Sequence, residues 1–213
     1  MKKSILTAAV VFLSVVTFGN TNNFEKLMKQ NLEIARAMGE KTDYKNLGDE
    51  FAKIAKHNKT RFEPLYYSAY CYIVSSWQIK DLPEKANVLT MAKKQIDKTA
   101  GLSANNDEIL VLEAFYYQAM IMMDPANNGQ KYSMKAEELL RKAQALNKNN
   151  PRAEFLRAQN IYYRPAQYGG GKEKALPLFK ESAKLFKNQS TSNYLLPVWG
   201  EKTNGEMIKQ CRM

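Results

Sequence analysis

The chain has 213 residues, 45% of them hydrophobic, 25% charged and 11% aromatic, a balance that excludes wholesale disorder. Ten Gly and seven Pro exclude collagen-like and proline-rich architectures. The formal charge is +11, but only seven of the 32 cations are Arg, and basic runs stop at pairs such as Lys93-Lys94. Nucleic-acid readers favour the planar arginine fork, so no nucleic-acid partner is expected, and the excess reads as a solvated lysine face.

Lys2 and Lys3 open the chain, and Ser4 to Phe18 follow with no charge over fifteen residues. As a helix that stretch spans about 22 Å, short of a roughly 30 Å bilayer core. With Thr17-Phe18-Gly19 as a small-x-small site, residues 1–19 read as a secretory signal peptide, and the product is periplasmic or secreted from a bacterium. No cysteine follows closely enough to carry a lipid, since the first is Cys71. An exporting route permits disulfides, so a Cys71–Cys211 bridge stays open beside the reading of Cys71 as a small core residue.

From residue 20 the pattern is helix after helix, with almost no strand signal. Asn23 is positioned to cap a helix over 24–38 that Gly39 ends. Asp43 opens a second to about Asn58, with Leu47, Phe51, Ile54 and Ala55 at helical spacing. The third, 62–78, is the most aromatic. Asp81-Leu82-Pro83 starts a fourth that Gly101 stops, and Asn105–Met123 is a fifth. A sixth begins near Ser133 and runs to Leu146. Pro151–Tyr163 is a seventh and Lys172–Phe186 an eighth, before a looser tail with a short helix over 201–210.

These helices repeat. Ala92, Ile96 and Leu102 align with Ala136, Leu140 and Leu146, 44 positions on, and with Ala175, Phe179 and Leu185 a further 39 on. Each preceding helix has a small residue followed three later by a large one: Ala69/Tyr72, Ala114/Tyr117 and Ala158/Ile161. The small residue lets two helices approach and the large one fills the gap to the next pair. A lone pair cannot bury its apolar face, so pairs must stack.

Residues 62–187, and Ala136-x3-Leu140-x2-Ala143-x2-Leu146 above all, resemble the tetratricopeptide repeat family. The resemblance implies an all-α, right-handed α-solenoid of antiparallel helix pairs: an N-terminal pair over 20–60, three repeats over 61–188 and a tail over 189–213. Lys148 stands where the family has Pro, and the period exceeds the family's roughly 34 residues, with the surplus expected in long inner turns at 122–133 and 164–172. The ending PVWGEKTNGEMIKQC is similar to that of small secreted repeat proteins of Bacteroidetes-type bacteria, which implies no particular function.

Reactive chemistry is sparse. His57 is the one histidine and sits at a helix end, where the dipole favours a cation. A single imidazole leaves no His-His metal site, and no G-x-S-x-G or H-E-x-x-H occurs. GGGKEKA at 169–175 lacks the Walker spacing and reads as a hairpin turn. DPANNG at 124–129 has oxygen donors without a calcium-loop pattern, and turn chemistry accounts for it. No cofactor is expected, and no carboxylate pair marks a glycosidase.

The aromatics of the first helices are the most informative feature. Tyr66 and Tyr70 share one face of the third helix, Phe115 and Gln118 take equivalent places in the fifth, and Gln159 and Tyr162 in the seventh. On a concave surface these six would line a groove of apolar and amide groups for an extended peptide or partner helix. The chain therefore reads as a non-enzymatic, exported interaction scaffold with a protein or peptide partner. The alternatives are a binder of acidic glycan or lipid headgroups, a hydrolase on envelope polymers, and an oligomer stacked through the same aromatics.

Overall fold

Side-chain caps begin most of the helices. Asp43, Asp81 and Asp124 accept backbone N–H bonds from Asn46, Glu84 and Asn127, and Asn106 and Asn150 do the same at two further starts. The computed structural model describes residues 18–37, 42–190 and 192–213, and among them all regular structure is helical. The helices are α1 (Phe18–Ala37), α2 (Tyr44–His57), α3 (Glu63–Gln78), α4 (Leu82–Leu102), α5 (Asp107–Ile121), α6 (Pro125–Leu146), α7 (Pro151–Tyr163), α8 (Lys172–Lys187) and α9 (Glu201–Arg212). No described helix is long and apolar enough to cross a membrane. The leader read over 1–19 falls mostly on residues 1–17, outside the described residues, and so does the expected Gly39 stop.

Three boundaries differ from expectation. Helix α1 begins at Phe18, so Asn23 lies inside it and caps nothing. Gly101 does not stop α4, which runs to Leu102, because an interior glycine costs only about 1 kcal/mol. The largest change is at α6, which begins at Pro125 instead of Ser133. Asp124 caps it through the Asn127 N–H, 3.2 Å away, and Pro125 takes the first helical position, where a missing N–H costs nothing. The long inner turn expected at 122–133 is three residues, and the rest is helix. The second inner turn is real. It holds a short 3-10 turn, Ala166–Tyr168, and three glycines. Gly169 and Gly171 have φ of +79° and +113°, and a Cβ on Gly170 would lie 1.9 Å from the Arg164 carbonyl oxygen. The glycines are there for backbone geometry.

Each helix packs on its neighbours in sequence, and α5 also touches α3 on one side and α7 on the other. The repeat register holds where it matters for packing. Ala92, Ile96, Ala136, Leu140, Ala175 and Phe179 are buried, as are Ala69, Ala114 and Ala158. The aligned Leu102 and Leu146 are exposed instead, because they fall on the last turns of α4 and α6, beyond the contact. Tyr72 is buried too, but against Gly48 and Asp49 of α2 in the preceding pair instead of the next one, and its hydroxyl donates to Asp49 at 2.6 Å. Cys71 and Cys211 are both buried and free, so the optional bridge is not formed.

Two predictions follow from this packing. Ala136→Trp should overpack the α5/α6 contact and lower stability by about 1–3 kcal/mol, read as a shifted urea midpoint. Unchanged melting would mean the repeat register is wrong. In α3, burial pushes the phenols of Tyr66, Tyr67 and Tyr70 above their usual value near 10. The unfolded chain loses those protons first, so the stability they contribute is complete below about pH 10 and falls as pH rises beyond it. Absorbance at alkaline pH should show these phenols ionising together with loss of helix. Smooth titration in a folded chain would count against their burial.

Candidate functional site

Two of the places that gather aromatic side chains share α5. The first is the face where α3 meets α5, where the sequence places Tyr66, Tyr70 and Phe115. All three are buried, because the tail between α8 and α9 lies over them. The Trp199 ring packs 5.3 Å from Tyr70 and 5.1 Å from Phe115, with its plane within about 26° of both. Its indole N–H donates to the Tyr66 hydroxyl at 3.0 Å. The Tyr67 hydroxyl donates to the Leu195 carbonyl at 2.9 Å, Arg36 to that of Tyr194, and Gln189 to that of Pro197 at 2.9 Å. Beneath Trp199, Arg152 makes paired bonds to Glu108, Nε to Oε2 at 2.9 Å and Nη2 to Oε1 at 2.7 Å. Burial opposes the Arg152 charge, but the Glu108 carboxylate outweighs it and raises the guanidinium's pKa. The expected open groove is thus filled by the chain itself over α3 and α5.

The other three expected groove residues lie apart from this face. Gln118 donates to the Leu156 carbonyl at 2.8 Å and ties α5 to α7. Gln159 is half-buried on α7. Tyr162 is half-buried near the end of α7, edge-on to Tyr163 at 4.9 Å and to Phe179 at 6.3 Å. The six residues do not form one continuous open surface.

The second place is an open cleft of about 390 Å³ between α4, α5 and α6. Its walls are Tyr116 and Tyr117 from α5, Lys131, Tyr132 and Lys135 from α6, and Lys93 from α4. Tyr117 and Tyr132 stack at 5.4 Å and 27°, and Tyr116 stands edge-on to Tyr117 at 5.3 Å. The Lys131 ammonium lies 5.1 Å from the Tyr132 ring centre. Lys93 pairs with Asp97 and, at 3.7 Å, with Glu113, whereas among the described residues Lys131 has no carboxylate partner and Lys135 only Glu138 at 3.9 Å. Burial raises the Tyr116 and Tyr117 phenols, and nearby Lys93 only partly offsets it, so both stay protonated at neutral pH. Among the described residues none of the three phenol oxygens has a hydrogen-bond partner. The cleft therefore presents flat rings, free hydroxyl donors and three lining ammonium groups, of which that of Lys131 has no carboxylate partner among the described residues.

Sequence reasoning missed this cleft because of the α6 boundary. While 122–133 reads as a turn, Lys131, Tyr132 and Lys135 have no common face. Once α6 starts at Pro125, Lys131 and Lys135 stand four apart on one side of a helix. Tyr117, expected to fill a gap between repeats, is instead half-exposed against Tyr132.

The remaining chemistry is structural. Glu137 and Glu154 both contact Arg157, at 3.2 and 3.6 Å, and neither lines the cleft. His57 is exposed at the end of α2, away from the cleft. Among the described residues no group of three His, Cys, Asp or Glu side chains is placed to hold a metal ion.

No family model and no curated protein matches the chain. Among solved structures it is similar to the HusA haemophore from Porphyromonas gingivalis, with 28% identity and a TM-score of 0.79. The match covers 89% of this chain and 92% of that one, so the likeness extends over nearly the whole of both.

Proposed function

We propose that the chain is an exported, non-catalytic carrier that holds a flat, anionic, aromatic ligand of the haem type in the Tyr116–Tyr117–Tyr132 cleft. The observation that carries the reading is the coincidence of that cleft with near full-length similarity to a haemophore. A flat macrocycle with carboxylate arms needs a ring to stack on and amines to pair with. Tyr117 and Tyr132 supply the first, and Lys131 and Lys135 supply the second. The phenols donate hydrogen bonds to the same carboxylates. Residues 1–19 act as the export leader in this reading.

The frame of the site is a right-handed, tetratricopeptide-like solenoid. The alternation of α3, α5 and α7 along one side and the buried small residues in the aligned positions support it. Extra helix at the start of α6 accounts for part of the long period and builds a wall of the cleft. An acidic glycan would use the same amines but has no need of the tyrosine stack, which separates the two readings.

The decisive measurement is an absorbance titration of the chain with haem. The Lys131→Glu/Lys135→Glu double variant should bind about tenfold more weakly or worse, equivalent to about 1.4 kcal/mol, and Tyr132→Leu should lose a similar factor. Lys59→Glu, at an exposed turn residue just after α2 that does not line the cleft, serves as the charge control. Equal affinity in all four proteins would remove the ligand from this cleft, and no binding by the unaltered chain would remove the ligand class. Affinity should also fall several-fold between 50 and 500 mM salt, since Lys131 and Lys135 are solvent-exposed charges. A salt-independent constant would leave stacking and the phenol hydrogen bonds as the sources of affinity.

A further inference from the structure

The strap from Tyr194 to Trp199 differs from the helical body in how it is held. Among the described residues its backbone makes no hydrogen bond to the backbone of any helix it covers, and its own N–H bonds run from Leu196 to the Asn193 carbonyl and from Leu195 to the Asn193 side chain. What holds it are side chains reaching its carbonyls, Tyr67 and Arg36 from the helices and Gln189 from the tail just after α8, and its own buried ring, Trp199. That is how a helical groove grips an extended peptide: donors fix the main chain and a pocket takes an aromatic anchor.

The fit is incomplete. A space of about 50 Å³ remains between Ala35, Arg36, Tyr67, Tyr70, Val198 and Trp199. The Tyr194 hydroxyl is buried without a hydrogen-bond partner. Leu196 and Val198 leave 39% and 37% of their surface in water. Helix α9, by contrast, is anchored independently. Asn204 donates to the Phe179 carbonyl at 3.0 Å, and Met207 and Cys211 are buried. The strap can therefore leave while α8 and α9 stay docked, pivoting at Gly200, whose φ of +103° suits a glycine hinge.

We infer that the strap is an intramolecular occupant of a peptide site, and that the α3/α5 groove accepts from another protein an extended segment carrying a tryptophan anchor in place of Trp199. The anchor chemistry is read from the occupant. The indole N–H meets the Tyr66 hydroxyl, which lies 3.4 Å from Glu108, and its ring packs against both Tyr70 and Phe115, 5.3 and 5.1 Å away, with the Arg152 guanidinium at 5.9 Å. This goes beyond the cleft reading and does not rest on it, because the groove lies on the other contacts of α5.

Two measurements on the full chain test it. In the unaltered protein, the Trp199 indole N–H should exchange with solvent at least 100-fold faster than the slowest backbone amides of α3, which marks a local opening. Exchange at the same rate as those amides would show that the strap leaves only when the protein unfolds, and would overturn the proposal. A synthetic peptide spanning Ser192–Lys202 should bind Trp199→Ala with a micromolar Kd and bind the unaltered chain at least tenfold more weakly. The same peptide with its tryptophan replaced by alanine should not bind. A folded Trp199→Ala chain that ignores the peptide overturns the proposal, and if that variant fails to fold, the indole exchange decides. Unaltered chains that swap straps into a dimer would overturn the heterologous partner in favour of a second copy. Haem titration of Trp199→Ala keeps the two readings apart, since an intact cleft binds haem whatever the strap does.

Discussion

A guanidinium taken out of water sets the terms for half of this molecule. Arg152 is only 2% exposed, and a charge so placed is tolerated only if its donors are met. Glu108 meets two of them and Asn150 steadies the same carboxylate at 2.7 Å, which locks the start of α7 to the start of α5. A further donor reaches Gln189 at 3.0 Å, and the amide of Gln189 holds the Pro197 carbonyl. One buried charge thereby couples the stacking of two helix pairs to the path of the tail. Removing either ionic partner would strand the other, at a cost of about 3–5 kcal/mol.

Helix α5 is where the two aromatic places are kept separate. Successive residues of a helix point about 100° apart, so four consecutive side chains divide among three different surroundings. Phe115 faces Tyr70 and Trp199 beneath the strap, Tyr116 and Tyr117 face the cleft, and Gln118 reaches α7. A run that looks like undifferentiated apolar core in the sequence is a distributor. It gives one side to the chain's own tail and leaves the other open to solvent. The open side has phenols without hydrogen-bond partners among the described residues and the ammonium group of Lys131, whereas on the covered side the Tyr66 and Tyr67 hydroxyls and the Trp199 indole are bonded to Glu108, Leu195 and Tyr66.

The all-helical class and most helix ends were legible because they rest on local chemistry. An Asp or Asn that caps, a proline in a first turn and an apolar residue every three or four positions act within a few residues of chain. Asp43, Asp81 and Asn150 were readable on those terms. The same cues were present at Asp124-Pro125, but Asn127, Asn128 and Gly129 are also turn formers, and local preference could not choose between a turn and a capped helix. Packing of α6 along α5 chose the helix. That choice created the lysine face of the cleft, so an error of two turns hid the site that carries the functional reading.

By itself the sequence determined the helices, their alternation of small and large residues, and the absence of reactive motifs, because all of these are encoded at separations of three to seven residues. Tertiary structure alone decided which aromatics are available. Trp199 and Tyr66 are 133 positions apart, and nothing local to either announces that one will bury the other. The groove at Tyr66, Tyr70 and Phe115 was visible as a surface but not as an occupied one. Tyr117 and Tyr132 were visible as tyrosines but not as opposite walls. Contacts between distant segments form only when the whole stack is assembled, and the spacing of residues along the chain has no term for them.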